Sequence, residues 1–190
     1  DGYEGVELSV ELPEILGTGG GLRAAIDRLS DPFVVVNADV LCDVNLVALG
    51  EAVPPDGAAM ALRSAPQASQ IGPVEADVNG AVVRITSVVP SDAGISGTHF
   101  TGIHAMSRAA AMRVPDTGLQ CVVRTAYKEL VPMGKVQSVS HDGVWFDVGT
   151  PAAYLQANLD ALDGRICPPI DPWTRGQRTE DGSWLGEDAV

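Results

Sequence analysis

The chain has 190 residues, 45% of them apolar, and its 12 basic and 25 acidic side chains give a formal net charge of −13. This length suits one domain, or one domain with a small appendage, and it can bury a sizeable core. The apolar content argues against a disordered chain. The acidic balance argues against a nucleic-acid-binding or anionic-membrane surface, because both need clustered Lys and Arg.

The first third of the chain alternates between strand-like and helix-like patterns. Gly5–Val10 alternates like a short strand, Gly17–Gly21 indicates a glycine turn, and Leu22–Leu29 has the apolar spacing of a helix. The continuous apolar run Phe33–Val36 predicts a strand buried on both faces, as in a parallel sheet. The next predicted elements are a helix over Leu46–Val53, ended by Pro54 and Pro55, and a strand over Ala58–Leu62.

The middle of the chain predicts a hairpin, a loop, a strand and a helix. Pro73–Ile85 has two alternating runs around Asn79-Gly80, a strong turn dipeptide. Ser91–Thr98 is a Ser- and Gly-rich loop, and Phe100–Met106 has the composition of a strand. The clearest helix is Gln120–Val131, which has apolar residues on one face.

Two strands and a helix are predicted next. Lys135–Ser140 and Val144–Val148 are strand patterns on either side of Asp142-Gly143, a turn dipeptide. The helix Pro151–Leu162 has Thr150 as its N-cap and Pro151 in its first position. Its leucines share one face and are expected to point inward: Leu155, Leu159 and Leu162.

Strands and helices in this order predict an α/β fold with a mostly parallel sheet between helical layers. The composition shifts to Pro, Gly, Arg and Asp after Leu162, which indicates a linker, and Leu185–Val190 fits one turn of a hexapeptide β-helix. We therefore divide the chain into a domain over 1–162, a linker over 163–183 and the start of a left-handed β-helix over 184–190.

The three cysteines, Cys42, Cys121 and Cys167, are widely spaced and form no Cys-x-x-Cys pair. This usage favours ordinary packing in a reducing, cytoplasmic compartment over a disulfide framework or a zinc site. Because no apolar run approaches the ~20 residues of a membrane-spanning helix, no membrane partner is expected.

A glycine-rich segment, Leu16–Leu22, lies between a predicted strand and a helix. Glycines let the backbone approach a ligand closely, and the free N–H groups of a helix start favour anions. The segment matches neither the dinucleotide fingerprint nor the P-loop, because Leu22 stands at the third glycine position and no Gly-Lys-Ser/Thr follows. A tight strand-to-helix turn is the alternative interpretation.

Two acidic residues stand at the carboxyl ends of predicted strands, where α/β sheets bind ligands. Asp39 follows the apolar run Phe33–Val36, and Asp147 precedes the helix that begins at Pro151. Carboxylates there suit a hard cation such as Mg²⁺, which completes its octahedron with water and phosphate. The alternatives are that Asp39 caps the next turn and that Asp147 holds its turn together with Thr150.

Taken together and in this order, the motifs resemble the sugar-1-phosphate nucleotidyltransferase family, also called NDP-sugar pyrophosphorylases. Glu11–Leu22 is similar to the family's base-contacting loop, and Val36–Asp39 to its metal-binding "NGD" segment, with Ala38 in place of Gly. Phe100–Ile103 is similar to its sugar-contacting "TGI" strand. Trp145–Pro151, followed by a helix with Tyr154, Leu155 and Asn158, is similar to its second metal aspartate segment. The likeness runs from about Glu4 to Leu162 and is nearest to mannose-1-phosphate guanylyltransferases and to uridylyltransferases for amino-sugar phosphates.

The resemblance implies a Rossmann-like, three-layer α/β sandwich of the nucleotide-diphospho-sugar transferase type. It implies transfer of NMP from an NTP to a sugar-1-phosphate, with release of pyrophosphate, and Mg²⁺ held by the catalytic residues Asp39 and Asp147. The implied nucleotide-binding residues are Glu11, Gly17, Thr18, Gly19 and Gly20, and the implied sugar-binding residues are Asn37, Thr101 and Gly102. The expected partners are the NTP and the sugar-1-phosphate, with homo-oligomerisation through a β-helix.

The sequence also departs from the family pattern. The family's N-terminal Gly-rich loop with its Arg and Lys does not occur here, and Arg84–Pro90 contains no Lys where a Glu-Lys-Pro motif is usual. We expect Lys128 to be solvated and His99 to have a loop role. The chain is therefore interpreted as the later part of an enzyme, inactive alone. The alternatives are a non-catalytic nucleotide-sugar-binding or regulatory subunit on the same fold, and an NAD-dependent oxidoreductase, whose fingerprint Leu22 breaks.

Overall fold

The computed structural model describes residues 5–64, 73–85, 98–166, 176–181 and 183–186. These residues form two compact units, the first from 5–37 and 44–143 and the second from 38–43 and 144–186. This division cuts across the predicted domain 1–162, whose boundaries stay a prediction. The predicted loop Ser91–Thr98, apart from Thr98, and Cys167 lie outside the described residues.

The strands, in chain order, are β1 (Phe33–Val36), β2 (Val40–Cys42), β3 (Ala58–Ser64), β4 (Val74–Ala76), β5 (Val82–Ile85), β6 (Thr98–Met106), β7 (Val136–Ser140), β8 (Trp145–Asp147), β9 (Gly176–Arg178) and β10 (Trp184–Gly186). The helices are α1 (Gly17–Ala25), extended by a 3₁₀ turn over Ile26–Arg28, α2 (Leu46–Glu51), α3 (Arg108–Ala111), a π-helix over Val123–Tyr127 that leads into α4 (Lys128–Leu130), and α5 (Pro151–Leu162).

The main sheet of the first unit has four strands in the order β1-β6-β3-β7. β6 runs antiparallel to both β1 and β3, whereas β3 and β7 are parallel. Three strands thus share one direction and β6 opposes them, which makes the sheet mixed where a mostly parallel one was predicted. The α/β class is confirmed.

The predicted burial of Phe33–Val36 on both faces is wrong. Phe33 is buried, but Val36 is 45% exposed and Val34 is also exposed. Among the described residues β6 is the one strand that pairs with β1, so β1 lies at an edge of the sheet. An apolar run therefore did not suffice to place the strand in the interior.

A hydrophobic cluster in the core of the first unit packs side chains of this sheet against helical segments. The sheet contributes Phe33, Met60 and Met106, and the helical segments contribute Ile26 and Tyr127 among others. Aliphatic and aromatic burial of this kind is the dominant stabilising term in folding, at roughly 25 cal/mol per Å².

Three predictions near the core need correction or refinement. Residues Gly5–Val10 form no strand, and Val6, Leu8 and Val10 are exposed, because no described strand lies beside them. The glycines from Gly17 onward form the first turns of α1 instead of a turn before it. The predicted helix from Gln120 begins with π geometry at Val123.

The predicted hairpin over Pro73–Ile85 is confirmed as the antiparallel pair β4–β5. The Asp77 carboxylate accepts hydrogen bonds from the N–H groups of Asn79 and Ala81, both at 2.9 Å. Gly80 has φ +83°, a left-handed conformation that glycine adopts at little cost.

The second unit contains two separate strand pairs, β2–β8 and β9–β10, both antiparallel. β7 and β8 flank Asp142-Gly143 as predicted, but they belong to different sheets. β9 lies within the predicted linker, and β10 pairs with it as a ribbon. The predicted β-helix extends past Gly186 into residues outside the described ranges, and it stays a prediction.

Helix α5 has the predicted bounds, and the Thr150 hydroxyl caps it by accepting a hydrogen bond from the Ala153 N–H at 3.2 Å. The prediction that its leucines point inward is wrong for Leu155, which is 60% exposed, and for Leu159, which is exposed as well, whereas Leu162 is partly buried. The buried positions are Ala157 and Asp160, whose carboxylate is bonded by Gln156 and Arg165. The buried face of α5 thus contains Asp160, an acidic group whose hydrogen bonds are satisfied, where an apolar face was predicted.

No helix in the described part of the chain is long and apolar enough to cross a membrane.

Candidate functional site

Asp39 and Asp147, predicted from separate motifs, are brought together by the β2–β8 pair. Val40 lies opposite Asp147 in this ladder, and the Val148 N–H donates to the Asp39 carbonyl at 2.8 Å. Asp39 therefore precedes one strand at the point where Asp147 ends the other. This pairing supplies the adjacency that the sequence could not show.

Gly149 lies between the two carboxylates. A Cβ placed on Gly149 would stand 3.1 Å from Oδ1 of Asp147 and 3.2 Å from Oδ2 of Asp39. Both carboxylate groups thus converge on the space above one glycine, and both aspartates are exposed. The Gly149 N–H also donates to Asp147 Oδ1 at 3.0 Å, so Asp147 holds its turn, as the alternative interpretation proposed, while facing Asp39.

The donor set fits Mg²⁺. Two converging carboxylates supply hard oxygen ligands, and proteins commonly hold Mg²⁺ by one or two carboxylates, with water and substrate phosphate in the other positions. The described residues contain no group of three or more His, Cys, Asp or Glu that could hold a metal alone. A cation at this pair would accordingly depend on water and phosphate for the rest of its shell.

The glycine segment packs against a distant stretch of chain around Gln120. The N–H groups of Gly19 and Gly20 donate to the Gln120 carbonyl at 2.8 and 3.4 Å, and the Gln120 N–H donates to the Leu16 carbonyl at 2.7 Å. The Thr18 hydroxyl oxygen accepts from the Val122 N–H at 3.2 Å. Several polar groups of the loop are therefore engaged within the protein.

This packing explains why glycines occur here. A Cβ on Gly17 would lie 2.7 Å from the Gln120 carbonyl oxygen, and one on Gly19 would lie 2.9 Å from the Val122 nitrogen. Close packing of the first turn of α1, instead of the tight strand-to-helix turn named as the alternative, accounts for these glycines. Nucleotide binding by Gly17, Thr18, Gly19 and Gly20 stays a prediction. Gln120 was missed because no local pattern reveals a partner about a hundred residues away.

The Glu11 side chain bonds to the backbone at the start of α1. Its Oε2 accepts a hydrogen bond from the Leu16 N–H at 2.5 Å, and its Oε1 lies 2.5 Å from where a Cβ on Gly21 would stand. The carboxylate therefore sits beside the first turns of the helix, a favourable position for negative charge. A direct contact with a nucleotide stays a prediction.

The predicted sugar-binding residues Asn37 and Gly102 lie side by side. The Asn37 N–H donates to the Gly102 carbonyl at 3.3 Å, and a Cβ on Gly102 would stand 2.8 Å from Asn37 Nδ2. Thr101 is only 1% exposed, and its hydroxyl donates to the Ala61 carbonyl at 2.9 Å. Asn37 is exposed and able to meet a ligand, whereas the Thr101 side chain is used inside the sheet.

Two histidines are buried in the sheet rather than in loops. His99 lies in β6 opposite Arg63, and burial, followed by the charge of Arg63, lowers the pKa of its imidazole. His104 Nδ1 is 2.8 Å from the Tyr127 hydroxyl oxygen, and burial lowers the pKa of His104 to about 4 and raises that of Tyr127. The predicted loop role of His99 is thus wrong, and His104 is a neutral core residue.

No family model matches the chain. A mannose-1-phosphate guanyltransferase of Aspergillus oryzae is 28% identical over 184 residues, which cover 90% of this chain and 50% of that protein. The bifunctional protein GlmU of Methanococcus maripaludis is 24% identical over 152 residues, 78% of this chain and 36% of that protein. The chain therefore spans between about a third and half of the length of these curated relatives.

Solved structures share the fold at low identity. The UTP-bound UGPase from Acinetobacter baumannii has a TM-score of 0.66 and 20% identity, covering 88% of this chain and 63% of that one. HddC from Yersinia pseudotuberculosis complexed with GMP-PN has a TM-score of 0.56 and 20% identity, covering 76% of this chain and 62% of that one.

The fold is α/β and is shared with solved nucleotidyltransferase structures, and the Asp39–Asp147 pair is a candidate two-carboxylate site. The resemblance drawn from the motifs is confirmed by the curated relatives: the chain is similar to mannose-1-phosphate guanyltransferases and to the bifunctional protein GlmU.

Proposed function

We propose that this chain provides the metal-binding part of a nucleotidyltransferase that transfers NMP from an NTP to a sugar-1-phosphate, giving a nucleotide sugar and pyrophosphate. The observation that carries the proposal is the convergence of the Asp39 and Asp147 carboxylates above Gly149. Two motifs distant in sequence each place a carboxylate oxygen within 3.2 Å of the point where a Cβ on Gly149 would stand, which supports a shared cation.

The residues of the chain would act mainly by holding and positioning. Asp39 and Asp147 hold the cation, and the Gly149 N–H bonded to Asp147 Oδ1 at 3.0 Å restrains one of these carboxylates. When bound, Mg²⁺ would supply neutralisation of phosphate charge and alignment of the two substrates. The reaction asks for little covalent chemistry from the protein, so orientation accounts for most of the effect.

The substrates follow from the relatives. The guanyltransferase matches make GTP and mannose-1-phosphate the first pair to assay. One solved neighbour is complexed with GMP-PN and another is bound to UTP, which supports assaying UTP as well. Asn37 and Gly102 are proposed to face the sugar, with Thr101 contributing through its backbone. The free thiols Cys42 and Cys121 fit a reducing cytoplasmic compartment, and assembly through a β-helix is part of the proposal.

The test is Mg²⁺-dependent pyrophosphate release from an NTP and a sugar-1-phosphate, assayed on the chain and on the complete product of its reading frame. Asp39→Asn and Asp147→Asn should each lower kcat by about a hundredfold, as expected when a group that stabilises transition-state charge is lost. The matched control is Asp142→Asn, an exposed acid outside the pair. Full activity of Asp39→Asn would contradict the proposed role.

Calorimetric titration with Mg²⁺ and Mn²⁺ separates binding from turnover. The wild-type chain should bind one cation. The variant Asp39→Asn should not bind it, and the control Asp142→Asn should bind it as the wild type does. A complete protein that binds cation and nucleotide sugar without turnover would instead favour the alternative, a non-catalytic binding or regulatory subunit on the same fold.

A further inference from the structure

A hollow of about 320 Å³ on the first unit is lined by Arg113, Pro115, Arg124, Thr125, Lys128 and Glu129. We call it the cationic hollow. It forms where the chain leaving α3 passes beside the π-helix and α4. It shares no residue with the Asp39–Asp147 pair, the glycine segment or the predicted sugar-binding residues.

The charge of the hollow is opposite to that of the whole chain. Three of its lining residues are cationic and one is anionic, which gives +2 in a chain whose net charge is −13 and whose basic side chains number 12. A quarter of those basic side chains therefore surround one small space. Like charges gathered in a concave surface raise the local concentration of ions of opposite sign.

The positive charge is incompletely neutralised by the protein. Arg113 Nη1 donates to Glu129 Oε2 at 3.1 Å. Within the described part of the chain, the side chains of Arg124 and Lys128 have no ion pair or hydrogen bond, and the buried Nε of Arg113 has no acceptor. Lys128 is exposed, as predicted, yet it faces a shared space with two other cations.

The backbone at the hollow is also unusual. Arg124 and Thr125 lie in the π-helix, where the Tyr127 N–H donates to the Val122 carbonyl at 3.2 Å. Single π turns within helices occur frequently at functional sites. Arg124 and Lys128 are four residues apart, a like-charge spacing that weakens a helix slightly. The segment thus keeps two repelling cations side by side with no acid between them.

We propose that the cationic hollow binds a phosphate-bearing small molecule. Guanidinium groups match the tetrahedral oxygens of phosphate in two-pronged hydrogen bonds, and an ammonium adds a point charge. A phosphate dianion offsets the +2 of the lining, and the volume is at the lower end of ligand pockets. The Thr125 hydroxyl already donates to the Cys121 carbonyl at 2.8 Å, so the cations supply the donors. The site needs neither a divalent metal nor a nucleotide and goes beyond the proposed function.

The experiment is calorimetric titration of the 190-residue chain with inorganic phosphate and, separately, with a hexose 6-phosphate, in EDTA at low salt. Each probe should bind saturably at one site, and binding should weaken as NaCl is raised. The double variant Arg124→Gln/Lys128→Gln should bind each probe at least about tenfold more weakly than the wild type, since each charged hydrogen bond is a strong contact. The matched control Arg28→Gln/Arg165→Gln removes two exposed cations elsewhere and should keep the wild-type affinity.

Thermal unfolding gives a second measurement that also reports on folding. Phosphate should raise the Tm of the wild type and of Arg28→Gln/Arg165→Gln, and leave that of Arg124→Gln/Lys128→Gln unchanged. Equal affinity for both probes would show that the phosphate group alone is recognised, and tighter hexose phosphate binding would show that the hollow also holds the sugar. Absence of saturable binding, or equal binding by both double variants, would overturn the proposal. Because EDTA removes divalent metal, that failure would leave the role of Asp39 and Asp147 untouched.

Discussion

At the residue scale, one missing Cβ decides whether two carboxylates can share a cation. Gly149→Ala would place a methyl group 3.1 Å from Asp147 Oδ1 and 3.2 Å from Asp39 Oδ2, closer than carbon and oxygen normally approach. We expect the carboxylates to be pushed apart and the affinity for Mg²⁺ or Mn²⁺ to fall about tenfold or more, as for other changes beside metal ligands. Calorimetric titration measures this.

The control for that substitution is Gly50→Ala in α2, where a new Cβ meets nothing within 4 Å. It should leave cation affinity unchanged and stabilise the helix by about 0.5–1 kcal/mol. Wild-type cation affinity in Gly149→Ala would show that the two carboxylates do not act on one ion.

Also at the residue scale, we expect the Thr101 hydroxyl to stabilise the fold through its hydrogen bonds in the sheet. Thr101→Val keeps the shape but removes the donor to the Ala61 carbonyl and the acceptor for the Ile103 N–H at 3.3 Å. Leaving such buried groups unpaired costs about 1–3 kcal/mol, which urea unfolding would measure. Thr117→Val, at an exposed position, should change stability little. Equal stability of the two variants would contradict this structural role of the Thr101 hydroxyl.

At the element scale, the start of α1 depends on how closely its backbone approaches residues 120–122. Gly19→Ala would put a Cβ 2.9 Å from the Val122 nitrogen, which as backbone cannot easily move, and should destabilise the protein by about 1–3 kcal/mol. In Gly21→Ala the new Cβ would meet the end of the flexible Glu11 side chain, which can move away. The loss of stability should therefore be much smaller. Chemical denaturation of both variants tests the order, and a milder effect at Gly19 would contradict this packing.

The elements also show how far sequence reasoning reaches. Helix α5 and strand β1 have their predicted bounds because Thr150-Pro151 and the run Phe33–Val36 are local signals. The predicted burial was wrong for Leu155 in α5 and for Val36 in β1, because burial depends on which neighbours a strand or helix packs against. Asp39 and Asp147 were individually predictable as acids at strand ends, whereas their meeting needed the β2–β8 pairing.

The candidate site divides in the same way. Glycines in Leu16–Leu22 and acids at strand ends are visible as residue types, so the motifs could be read directly. The partner of the glycine segment, Gln120, lies too far along the chain for any periodicity to indicate it. The cationic hollow combines residues from two separate segments, and only folding gathers its charges.

At the scale of the whole molecule, the buried His104 links global stability to pH. Burial lowers its folded-state pKa to about 4 from the usual 6.5, so unfolding takes up a proton at intermediate pH. The contribution of neutral His104 is fully present above about pH 6.5 and is lost progressively as the pH falls toward 4. Between pH 7.5 and 5 this amounts to about 2 kcal/mol.

Urea unfolding at pH 7.5 and at pH 5 measures that difference. The double variant His104→Phe/Tyr127→Phe removes both members of the 2.8 Å pair without leaving either polar group buried alone, and it should flatten the pH dependence by about 2 kcal/mol. The pKa of His99 is lowered too and remains in both proteins, so it cancels in the comparison. An unchanged pH dependence in the double variant would mean that His104 takes up its proton without unfolding, by admitting water to the core around Phe100 and Tyr127.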